Sequence, residues 1–171
     1  MEQQVDVDEA TDEALTLAER DGRENLRERL ATGDVLMSHA NGLLNLLLAG
    51  IGGALAIGRT VFDAAPAEAH VWGAAAVALY WMLVAGVLLS RCIMTRETQM
   101  LHNEPNNLYR PEVGWTYLQL RRAELRLLQD RINITKRRNA PVAWWLDACR
   151  MAAVAAPLVF AIVALAVAAC R

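Results

Sequence analysis

Apolar and charged positions fall into blocks along this chain. Three stretches, Val35 to Ile57, Val71 to Ile93 and Val142 to Ala169, each meet the roughly 20 mostly apolar residues that a bilayer-crossing helix requires, and no fourth does. Ahead of them, Asp8 to Thr32 reads as a helix, with Leu15, Ala18, Gly22, Leu26 and Leu30 three and four apart among charges. Thr32-Gly33-Asp34 predicts a break, with Asp34 capping the first span. After the second span, Pro105 and Pro111 bracket an irregular Asn-rich stretch. Val113 to Arg138 then predicts one long helix ended by Asn139-Ala140-Pro141. Leu118, Leu125, Leu128 and Ile132 form one apolar row on that helix, and Tyr117, Leu120, Leu127 and Ile134 a second. Two rows imply burial against more than one partner helix.

Charge supplies the orientation. Residues 1–34 hold four Arg and eleven acids, whereas residues 91–141 hold ten Lys/Arg and five acids. By the positive-inside rule the long basic connection and the Arg-containing arm are cytoplasmic, which leaves the 58–70 turn and Arg171 outside. Trp72, Trp144 and Trp145 open the second and third spans, where indole rings favour the headgroup level. Arg91 and Arg150 can snorkel to the same interface, and Asp147 lies three residues from Arg150, in pairing distance on one helix face.

The expectation is therefore an all-α integral membrane protein of three transmembrane helices. A cytoplasmic N-terminal helix precedes them, and a long cytoplasmic helix separates spans 2 and 3. The regions are an acidic arm (1–34), a transmembrane hairpin (35–93), a basic loop and helix (94–141) and a third transmembrane helix (142–171). The first apolar run follows a long acidic segment without a basic leader, unlike a cleaved signal peptide, so it is expected to persist in the mature protein. An inner-membrane location follows, with the N-terminus cytoplasmic and the C-terminus periplasmic.

Composition agrees: 55% hydrophobic and only 6% aromatic residues in 171 is more apolar surface than one small core needs. Cys92, Cys149 and Cys170 are odd in number and widely spaced, which predicts small buried apolar residues rather than disulfides or a metal site. Pro157 can kink the Ala-rich third span.

The first span carries an anomaly. Its stretch LMSHANGLLNLLLAGIGGALA contains Ser38, His39, Asn41 and Asn45, and an unpaired amide in hydrocarbon costs several kcal/mol. Ser38, Asn41, Asn45, Ala49, Gly52 and Ala56 share one helix face, with Gly42 and Gly53 beside it and Leu43, Leu47, Ile51 and Leu55 opposite. Two readings of this seam stand. Small residues allow close helix approach, with amides bonding across the contact. Alternatively, in an oligomer, the face lines a water-filled path.

Catalytic chemistry is not in view: no paired nucleophile and base, P-loop, dinucleotide fingerprint or metal-ligand spacing occurs, so no enzyme, catalytic residue, metal or resident cofactor is expected. A binding role fits better. In NEPNNLYRPE, Asn106, Asn107 and Tyr109 can pair with or stack on a base and Arg110 can hold a phosphate bidentately, with Arg122 and Arg126 as further cations. The same basic section also suits the negative inner leaflet, which makes membrane lipid a partner. The soluble surface is too small for nucleic acid.

The layout resembles small bacterial antiphage membrane effectors, the Pycsar membrane effectors and related SLATT-type proteins. The similarity covers residues 23–165 in architecture. An acidic arm leads to paired spans, GDVLMSHANGLLNLLLAG and WGAAAVALYWMLVAGVLLSR, and a cytoplasmic helix ending ELRLLQDRINITKRRNAPVAWW feeds a last span. Many Pycsar effectors carry an acidic residue and a lysine at the start of the first span, where this chain has Ser38 and His39. The resemblance implies a homo-oligomer that disrupts the inner membrane and kills the cell. Its trigger would be a cyclic pyrimidine mononucleotide, cUMP or cCMP, made by a partner nucleotide cyclase. The alternative is a phage holin or a small accessory subunit of a membrane complex, in which no ligand is sensed.

Overall fold

The computed structural model describes residues 2–64, 69–94, 114 and 116–170, with side chains described for residues 12–60 of the first stretch. Among the described residues the fold is helical throughout, without strands: α1 (Glu2–Ala64), α2 (Ala69–Leu88) continuing into a π-helical turn (Leu89–Ile93), α3 (Tyr117–Val154) and α4 (Ala156–Ala169). Two stretches, Asp12–Thr60 and Ala69–Ile93, hold a segment long and apolar enough to cross a membrane. The bent pair α3–α4 makes a third if taken as one span. Helices of this length and apolarity mark a membrane protein. The chain divides into two units, Met1–Asp34 with Arg96–Ala140, and Val35–Thr95 with Pro141–Arg171.

The second unit is apolar. Ala40, Leu47, Val84, Ala85, Leu88, Cys92, Leu146 and Cys149 form its core, with Leu36, Leu43, Leu44, Tyr80, Trp81 and Trp145 packed around them. Small residues set how closely such apolar helices approach. Gly50 lets the Trp81 ring lie against the α1 backbone, where a Cβ would collide with it, and a Cβ at Gly73 would stand 2.8 Å from Phe160.

The bend in the last span has a local cause. Pro157 brings no N–H, so the Ala153 carbonyl one turn earlier loses its helical donor, and α3 and α4 meet at Ala155 with a 42° bend. The freed region is answered from α2. Tyr80 O–H donates to the Ala152 carbonyl at 2.9 Å and the Trp81 indole N–H to the Ala153 carbonyl at 3.5 Å. Neighbouring helices supplying donors is how proline is accommodated in a membrane helix.

The first unit is thin and polar. Leu26, Leu128 and Ile132, with Leu30 beside them, are its apolar core. α1 and α3 run parallel there, since their contacts advance together from Glu19–Arg121 through Gly22–Leu128 to Arg29–Asn139. The buried Arg121 is held from α1 by Glu19 at 2.8 Å, by the Thr16 hydroxyl at 2.9 Å and by Asp12. The Glu19 hydrogen bond, above all, raises the guanidinium pKa above its ordinary value. The charge is therefore lost only beyond the alkaline limit of that value, and the clasp's cation persists at every lower pH. The first apolar row of α3 meets α1 through Leu128 and Ile132. In the second row, Tyr117, Leu127 and Ile134 are exposed.

Three boundaries differ from the sequence expectations. α1 runs through Thr32-Gly33-Asp34, because the Thr32 hydroxyl donates back to the Glu28 carbonyl at 2.9 Å and Gly33 admits the Asn139 side chain. α3 continues through Pro141, an exposed position where proline removes one backbone bond without stopping the helix. It begins at Tyr117 rather than Val113: Gly114 takes a left-handed φ of 61°, and Thr116 and Gln119 form a reciprocal capping box. Cys92 and Cys149 are buried as expected, but Cys170, just past α4, is exposed.

Candidate functional site

The phase of α1 within the apolar unit decides which side of the first span faces protein. Ala40, Leu47 and Ile51 are buried, and Leu43, Leu44, Gly50 and Ala54 are half-buried. Ser38, Asn41, Gly42, Asn45, Ala49, Gly52, Gly53 and Ala56 are all exposed. Among the described residues the seam therefore makes no close approach. A Cβ at Gly42, Gly52 or Gly53 would meet nothing within 4 Å, in contrast to Gly50. Leu43, Leu47 and Ile51, the apolar back of the sequence pattern, supply the internal packing, while Leu55 remains 56% exposed.

Ser38, Asn41 and Asn45 have no side-chain hydrogen-bond partner among the described residues, although Thr32 and Thr60 of the same helix each bond a carbonyl one turn away. Each asparagine offers a carbonyl acceptor and two N–H donors. Such a face is self-complementary, so an identical stripe can satisfy it, and the neighbouring glycines and alanines leave room for a second backbone.

Of the candidate ligand-binding residues, Arg122 and Arg126 lie one turn apart on α3, both exposed. Asn106, Asn107, Tyr109 and Arg110 lie outside the described residues. Arg121, grouped in the sequence with the other cations of α3, belongs instead to the clasp on α1 and is not open to a ligand. No three His, Cys, Asp or Glu side chains among the described residues gather as metal ligands.

Several of the interface markers pair with one another within the apolar unit. Arg91 lies over the Trp145 ring at 5.2 Å, Trp144 meets Trp145 edge-on at 4.7 Å, and Arg150 donates to Asp147 at 3.0 Å. Sequence spacing pointed to this last pair; the partnership of Trp81 with Gly50 and the Ala153 carbonyl had only the nearby Pro157 as a signal. Comparison with protein-family models, curated proteins and solved structures finds no match to this chain.

Proposed function

We propose that this chain is a membrane effector of bacterial antiphage defence, seated in the inner membrane, whose copies assemble through the Ser38–Asn41–Asn45–Gly52 face and breach the bilayer. The observation that carries the reading is a row of amides turned away from the core, without partners among the described residues, in a helix apolar enough to span. In hydrocarbon such groups require donors and acceptors, and a second copy brings the matching set. Once several copies meet, the same amides can wet the path between them.

The trigger we assign is a cyclic pyrimidine mononucleotide, cUMP or cCMP, made by a nucleotide cyclase and received on the cytoplasmic side. Arg122 and Arg126 offer exposed cations for its phosphate, and Asn106, Asn107, Tyr109 and Arg110 the groups for its base and phosphate. Binding drives assembly only by favouring the assembled state through differential affinity.

The test is uptake of a membrane-impermeant dye by cells producing the chain, with each cyclic mononucleotide supplied in turn. Uptake is expected with cUMP or cCMP alone, and Asn45→Leu is expected to abolish it at equal membrane levels. Uptake without nucleotide would replace this reading with a ligand-free holin. No uptake under any condition would assign the chain to an accessory role.

A further inference from the structure

In the apolar unit a groove of about 430 Å³ opens between α1 and the end of α3, within the usual range of about 300 to 1,000 Å³ for ligand cavities. Leu43, Leu47, Gly50, Trp81 and Val154 are among its walls, and among the described residues Arg150 is the one charged side chain lining it. Its floor is fixed, because Trp81 is seated on Gly50 and its indole N–H reaches the Ala153 carbonyl. The Arg150 side chain is 44% exposed and spends one donor on Asp147, leaving the rest of its five without a partner among the described residues. It lies five residues beyond Trp145, close enough for a long side chain to reach the headgroup level.

We infer that this groove binds one anionic phospholipid, with an acyl chain along Trp81 and the phosphate on Arg150. The apolar walls suit a hydrocarbon tail, and the guanidinium at the lip matches a phosphate in charge and in its fork of donors. Asp147 engages a single Nη1–H and leaves the other edge of the guanidinium to the lipid. The groove takes in Leu43 and Leu47 of α1 and meets the stripe at Ala49, while neither Asn41 nor Asn45 lines it, so the inference does not rest on self-assembly through those asparagines.

The full-length chain, in mild detergent with equimolar phosphatidylglycerol and phosphatidylcholine of identical acyl chains, is examined by native mass spectrometry. One retained lipid per chain is expected, enriched about fivefold in phosphatidylglycerol, the effect of one basic residue at an anionic headgroup. Arg150→Gln, a change at an exposed position, brings the ratio to near one, and Ala153→Leu, which fills the groove, removes both lipids. Absence of retained lipid, equal retention of the two headgroups, or unchanged enrichment in Arg150→Gln overturns the assignment. So does a chain–chain complex that excludes lipid from the groove. Should Ala153→Leu fail to fold, quenching of Trp81 fluorescence by brominated phosphatidylglycerol against brominated phosphatidylcholine decides the matter. The other four tryptophans are replaced by Phe, and the Arg150→Gln counterpart is the control.

Discussion

Helix α1 contributes to two regions that treat polar side chains in opposite ways. In residues 12–34 polar side chains find partners within the chain: Asp12, Thr16 and Glu19 hold the buried Arg121, and the Arg29 carbonyl accepts from Asn139 Nδ2 at 2.8 Å. In residues 35–60 the side chains that face the core are apolar, and Ser38, Asn41 and Asn45 are left outside, without partners among the described residues. A polar group on the outside is satisfied by water in the first setting, but not by acyl chains in the second. The difference teaches that the first span is complete as a packed helix yet incomplete as a set of hydrogen bonds. On the proposed reading, a second copy of the chain supplies the missing partners.

Substitutions at the inward positions break the two regions by different means. The largest effect is expected at Gly50, where any Cβ collides with the Trp81 ring. Gly50→Val should destabilise the apolar unit by about 3 kcal/mol, read from detergent-titrated unfolding in mixed micelles. An unchanged midpoint would remove the close α1–α2 contact from the account. In the charged unit, Arg121→Ala strips Glu19 and Thr16 of their shared donor, and amide protection in α3 from residue 117 to 128 should fall about tenfold in hydrogen exchange. Protection around Leu146 should hold, because the clasp belongs to the other unit.

Smaller changes sharpen the contrast. Tyr80→Phe removes one donor to the Ala152 carbonyl and should cost about 1 kcal/mol in the same micelle titration. Asn45→Leu should shift that midpoint by less than about 0.5 kcal/mol, since the side chain is exposed and unpaired within the chain. A large loss there would mean that Asn45 supports the protomer itself.

The sequence carried the helical class and the apolar stretches in plain form, because length and apolarity alone specify them. The spacing of Asp147 and Arg150 likewise anticipated their pair. Boundaries were harder to read, since they turn on local competition. Thr32-Gly33-Asp34 looks like a break with Asp34 as a cap, but the helix runs through it and Thr32 spends its hydroxyl on that helix, while the Thr116–Gln119 capping box was a readable start signal that the apolar pattern of Val113 to Arg138 overshadowed. The stripe was legible as a set of residues sharing a face. Its direction was not, because Gly50 and Gly52 are equally small and only the Trp81 ring distinguishes the inward one. Arg121 was hidden among similar cations, since burial of one guanidinium depends on acids a hundred residues away.

Adjacent positions at one depth of the first span give the most direct measurement. Ala56 lies on the stripe and Ile57 beside it, both exposed, while Cys92 and Cys149 are buried and the exposed Cys170 can be replaced by Ser. In membranes treated with an oxidant, Ala56→Cys is expected to yield cross-linked dimers and Ile57→Cys to remain monomeric. Equal cross-linking at both positions, or none at either, would contradict the claim that copies of this chain meet through the asparagine face.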